Sequence, residues 1–160
     1  MRCRIKMTTT QEEFLPEQLI QAMMGEADEG NLEPTTEQSV IEMFAQGEIL
    51  RQDNKIIIRY EEGEDSGLDG SYAEISFDKS APKDVTLTRT GAVSVIMCFK
   101  EGSRHTCVYN TDVMPLELCV YTKKVDNRLF DLKYIEITYF IEIGGSCAQK
   151  TVLRLEINTL

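Results

Sequence analysis

From residue 56 to residue 157 the sequence alternates apolar and polar residues in one strand-length run after another, and no stretch within it keeps a helical period. A period of two places successive side chains on opposite faces of a sheet, so a chain that sustains it for about a hundred residues builds a mainly β structure. The clearest runs lie near the C-terminus. Ile135, Ile137, Tyr139, Ile141 and Ile143 alternate with Glu136, Thr138, Phe140 and Glu142, and Leu153, Leu155 and Ile157 alternate with Val152, Arg154 and Glu156. One apolar face and one mostly polar face mark antiparallel strands with a single buried side.

Further strands are expected along most of the chain. Cys3, Ile5 and Met7 alternate with Arg2, Arg4 and Lys6. Residues 40–44 and 48–51 read as strand on either side of Gly47, and an Asp53-Asn54 turn leads into 55–60 as a hairpin. The acidic stretch 61–70 reads as a surface loop. Strands over 72–77, 84–90, 92–100, 103–110, 116–124, 134–143 and 150–158 follow, separated by turns at Pro82, Gly91, Glu101-Gly102, 112–115, Asp126-Asn127 and 144–146. Residues 11–38 are the exception. Leu15, Leu19, Ile20, Met23 and Met24 recur at helical spacing, and Pro16 suits a first turn, so a short helix is expected over 16–26, followed by a connector over 27–36. The whole, 1–160, reads as a single domain with 11–38 as a helix-containing insertion or connector. Short turns and meander order favour an antiparallel up-and-down barrel of about eight to ten strands over a sandwich, because closure removes the exposed edges of a twisted sheet.

Charge and cysteine usage narrow the function classes. A formal charge of -10 and a pI near 4.6 leave no positive footprint for nucleic acid or an anionic membrane surface. No apolar run is long enough for a spanning helix, and the basic start of the chain lacks the apolar block of a signal peptide, so a cytoplasmic protein is expected. The cysteines at 3, 98, 107, 119 and 147 form no C-x-x-C pair, so neither a disulfide framework nor a zinc knuckle is expected. In strands they read as small apolar residues.

The order of several short motifs resembles the YwiB-like family, a domain of unknown function grouped with the calycin, or lipocalin-like, barrels. Members show a Tyr-Glu pair after a short strand, then Arg-x-Gly, a Phe-x-x-Gly turn and Tyr-x-Thr. Here these read Tyr60-Glu61, Arg89-Thr90-Gly91, Phe99 to Gly102, and Tyr109-Asn110-Thr111. A Leu-x-Leu strand ending in threonine follows as Leu116-Glu117-Leu118 with Thr122, and an Ile-x-Tyr core as Ile137-Thr138-Tyr139. Met114-Pro115 stands where the family has a glycine, and 11–38 is longer than a simple hairpin. The resemblance, over 39–157 and the N-terminal strand, implies a calycin-like barrel, a fold that often holds a small apolar ligand at its mouth.

Arg89, Tyr60, Tyr109, Tyr139 and Glu61 are the candidate ligand site. Arg89 shares parity with Val85 and Leu87 and should point inward, where an arginine must be paired, with Glu61, Glu74 or tyrosine hydroxyls as partners. It reads either as a structural arginine closing one barrel end or as an anchor for an anionic head group. Tyr60 aligns with Ile56 and Ile58, and Tyr139 with Ile135 and Ile137, so these and Tyr109 either line a cavity or fill a solid core. His105 and Cys107 share a strand face, but side chains two residues apart run parallel, about 6–7 Å apart, and no oxyanion donor accompanies them. The acidic loop lacks the ligand order of a calcium site. The sequence thus reads as a non-enzymatic barrel without cofactor or metal, monomeric or homodimeric, binding a small amphipathic or anionic molecule. The alternative is an interaction or accessory module using the barrel surface or the 16–26 helix.

Overall fold

The computed structural model describes residues 1–14, 38–62, 70–91, 93–110, 114–143 and 147–159. They form ten strands: β1 (Arg2–Phe14), β2 (Ser39–Gln52), β3 (Lys55–Glu61), β4 (Tyr72–Asp78), β5 (Ala81–Thr90), β6 (Val95–Phe99), β7 (Arg104–Asn110), β8 (Pro115–Arg128), β9 (Tyr134–Ile143) and β10 (Cys147–Thr159). All belong to one antiparallel sheet in the order β6-β5-β4-β3-β2-β1-β10-β9-β8-β7. The expected mainly β, up-and-down arrangement is therefore present. The helix expected over 16–26 and the connector after it lie outside the described residues.

Two meanders make the barrel, β1 to β6 and β7 to β10, and β1 joins them. It pairs with β10 from Cys3–Thr159 to Phe14–Ala148 and with β2 from Arg2–Glu48 to Gln11–Ser39. The other junction, β6 against β7, is a single bridge in which Ser94 N donates to Asn110 O at 2.9 Å and Asn110 N to Ser94 O at 2.8 Å. His105 Nε2 lies 3.3 Å from the Ile96 carbonyl oxygen across the same seam. The barrel is thus nearly closed.

Inward residues follow the alternation. At one end branched and aromatic side chains fill the interior: Ile56, Ile58, Ile75, Ile135, Ile137 and Leu155 are all almost wholly buried, and Phe99 packs on Tyr139 with centroids 4.9 Å apart. The turns at this end are tied to one another. Lys79 N donates to Asn54 O at 2.9 Å, and Phe77 meets Phe130 edge-on at 6.2 Å. The opposite end is the one where β1, β3, β7 and β9 finish and β2, β4, β8 and β10 begin. There the inner face turns to methionines and polar groups. The outer face carries ion pairs, such as Arg59 Nε with Glu74 Oε1 at 2.7 Å and Arg154 Nη1 with Glu136 Oε2 at 2.9 Å. Among the described residues no helix is long and apolar enough to cross a membrane.

Three expected strand boundaries are corrected. The strand expected to break at Gly47 runs straight through it, because a Cβ there would sit 2.5 Å from the Arg59 carbonyl oxygen and 2.6 Å from Ile5 Cδ1. Glycine serves close approach at that point, not a turn. Asp126-Asn127 is strand too: β8 continues to Arg128, past a register shift between Thr122 and Lys124, and the turn comes after it. Pro82 lies inside the start of β5, after a turn at Lys79-Ser80. Gly47→Ala should therefore cost about 1–3 kcal/mol in urea unfolding by overpacking a tight contact. An unchanged midpoint would mean that β2 yields there without strain.

Candidate functional site

The site begins with one small residue between two large ones. In the ladder register Tyr60 on β3 faces Ala73 on β4, and Ala73 faces Arg89 on β5. Ala73 is fully buried, so its short side chain leaves room above it for the tyrosine ring and the guanidinium. One step further along, Glu62 N donates to Ser71 O at 2.8 Å, which extends the β3–β4 ladder and turns the Glu62 side chain inward. Gly91, the last residue of the Arg89-Thr90-Gly91 motif, has φ +115°, and a Cβ there would meet Gly70 O at 2.5 Å and Ser71 Cα at 2.9 Å. A side chain at that position would push away the backbone that presents Glu62.

Arg89 and Glu62 form a buried ion pair. Arg89 Nε donates to Glu62 Oε1 at 2.5 Å, with the arginine side chain 13% exposed and the glutamate 2%. Burial works against the charged guanidinium, but the Glu62 carboxylate outweighs it and holds Arg89 above its ordinary pKa. Tyr60 is raised well beyond the usual phenol range, first by burial and then by the Glu62 charge. Burial pushes Tyr139 up to about 12, against the lowering influence of Arg89. The Arg89 charge works against that rise at both Tyr60 and Tyr139, so these two phenols sit beside one guanidinium.

Beside this pair the barrel holds a cavity of about 310 Å³. Its walls are mainly apolar, with Met7, Met43, Leu87, Met97, Leu118 and Leu153 among them, and its polar groups are Thr9, Gln11, Glu62, Arg89, Tyr109 and Tyr139. Such a chamber, largely apolar with a few convergent polar groups, has the make-up of a small-molecule site. The methionines are unbranched and polarisable and can adapt to differing ligand shapes.

Of the residues singled out in the sequence, Arg89, Tyr109 and Tyr139 line this cavity. Tyr60 does not. It packs into the core, and its hydroxyl donates to Met7 Sδ at 3.4 Å. Glu61 is exposed on the outer face, and Glu74 is engaged by Arg59, so the expected carboxylate partners are replaced by Glu62. The strand parity that places Tyr60 inward also places Glu62 inward, two residues on. Ending the strand at Tyr60 hid that signal. Burial, and after it the neighbouring Cys98 and Cys119, push the Cys107 thiol up, away from the thiolate form a nucleophile needs. Among the described residues no group of three His, Cys, Asp or Glu side chains is placed to hold a metal ion.

A family model described as "Domain of unknown function (DUF1934)" matches residues 29–155. The crystal structure of the ywiB protein from Bacillus subtilis is similar with a TM-score of 0.60 and 18% identity, over 99% of this chain and 94% of that one. At that identity the likeness shows a common fold. No curated protein matches the sequence significantly.

The ion pair makes a stability test. Glu62→Leu or Arg89→Met alone should cost about 3–5 kcal/mol, because each leaves a buried partner unpaired. The double replacement Glu62→Leu with Arg89→Met should cost far less than the sum of the two. Additive losses in a urea double-mutant cycle would contradict the pairing.

Proposed function

The chain belongs to the DUF1934 family, whose description assigns no activity, and from the barrel itself we propose that it is a binding protein for a small amphipathic molecule held in the cavity beside Arg89 and Glu62. The observation that carries this reading is the uneven filling of one barrel. Its closed half is packed with branched and aromatic side chains, whereas the other half keeps about 310 Å³ open, with a charge pair and two tyrosines set into an apolar wall. An open volume of that kind forfeits packing contacts, and an occupant restores them. The apolar body of the ligand would lie against the methionines and leucines, and its polar head against Arg89, Glu62, Tyr109 and Tyr139.

Binding in this reading involves no chemical step and no cofactor. The working compartment is the cytoplasm, a choice supported by four thiols that stand unpaired among the described residues. The ion-paired outer face supports a barrel surrounded by water. One observation favours a second reading as a docking module. Residues 39–46 of β2 run past the end of β3 with no ladder partner on that side among the described residues, and Phe44 there is 67% exposed.

Native mass spectrometry of the gently purified full chain, followed by organic extraction, tests the first reading. A stoichiometric small molecule is expected on the wild type and none on a folded Leu153→Trp variant, in which the indole fills the cavity. Bare wild-type protein that also fails to take up added octanol saturably would overturn it.

A further inference from the structure

We propose, building on the ligand reading above, that Glu62 sets the charge specificity of the cavity: the occupant carries a neutral polar head, such as an alcohol, an amide or a protonated acid, and its free anion is rejected. Arg89 is the one cation among the described residues lining the cavity, and Glu62 the one anion. The two already neutralise each other through the 2.5 Å bond, and both are nearly out of water. A ligand carboxylate set against Arg89 would place two carboxylates on one guanidinium in a poorly solvated site. Two carboxylates that close in a poorly solvated site disfavour each other's charge, so the anion enters most readily with a proton.

The other titratable groups facing the pair cannot relieve this conflict. They are Tyr60 on β3, Tyr109 on β7 and Tyr139 on β9. Near neutral pH phenols are uncharged, so they offer hydrogen bonds and no compensating positive charge. A head that both donates and accepts matches what is present. A carboxylate has acceptor sites beyond the one bond to Arg89, a guanidinium has donors beyond Nε, and Tyr109 and Tyr139 can do either. Arg89 on its own looks like an anion anchor, and Glu62 cancels that function.

Octanol and octanoate, the same chain with two heads, separate these cases in calorimetric titrations of the full chain. Octanol is expected to bind about tenfold or more tighter than octanoate at about pH 8, with an affinity independent of pH. Octanoate should take up about one proton per molecule bound, read from two buffers of different ionisation enthalpy, and its affinity should fall as pH rises. Glu62→Gln should reverse the preference. Should that variant fail to fold, the proton count on the wild type decides alone. Octanoate binding more tightly than octanol with no proton uptake would overturn the inference and leave the ligand reading standing. Binding of neither probe would overturn both.

Discussion

The double pairing of β1 is the interaction on which the rest of the structure depends. Each meander alone would be a twisted open sheet with unpaired edges, and β1, held to β2 on one side, removes one edge from each by pairing with β10 on the other. The remaining junction, the Ser94–Asn110 bridge, is too short to hold the barrel by itself. Closure brings β3 and β5 round to face β7 and β9, so that Arg89 and Glu62 share one chamber with Tyr109 and Tyr139. The site is thus a product of long-range closure. No local stretch of sequence contains it.

Within that closed wall, the choice of inward residues decides what is solid and what is open. Isoleucine after isoleucine fills one half, while Met7, Met43 and Met97 with Thr9 and Gln11 leave room in the other. A buried ion pair at the boundary is a weak source of stability, since desolvation offsets most of its Coulombic gain. In the proposed reading its value lies in what it does to a ligand. Paired at 2.5 Å, Arg89 and Glu62 present donors and acceptors without net charge. An unpaired arginine at the same place would present a positive charge.

Much of this was legible in the sequence because strand parity is a strict code. It placed Arg89 with Val85 and Leu87 and Tyr139 with Ile135 and Ile137, and all of them point inward. It misled where one residue type serves two ends. Gly47 reads as a break, but its lack of a side chain accommodates the Arg59 carbonyl and Ile5. Asp126 and Asn127 read as a turn, yet Asp126 accepts from the Tyr134 hydroxyl at 2.9 Å and Asn127 Nδ2 donates to Pro82 O at 2.8 Å, contacts that hold them in a strand. Glu62 was lost among acidic neighbours that suggested a solvated loop, and only the ladder to Ser71 separates it from Glu61. Which tyrosine lines the cavity and which fills core depends on depth along the barrel, and parity does not encode depth.

The central claim, that the open half of the barrel is a ligand chamber, is tested most directly by methyl NMR of the full chain labelled at the methionine ε-carbons and titrated with octanol. Met7, Met43 and Met97 line the chamber, whereas Met1 and Met114 are 62% and 57% exposed. Saturable shifts at the three lining methyls, with Met1 and Met114 unmoved, are the expected result. Shifts confined to the exposed methyls, or none at any concentration octanol can reach, would contradict the claim.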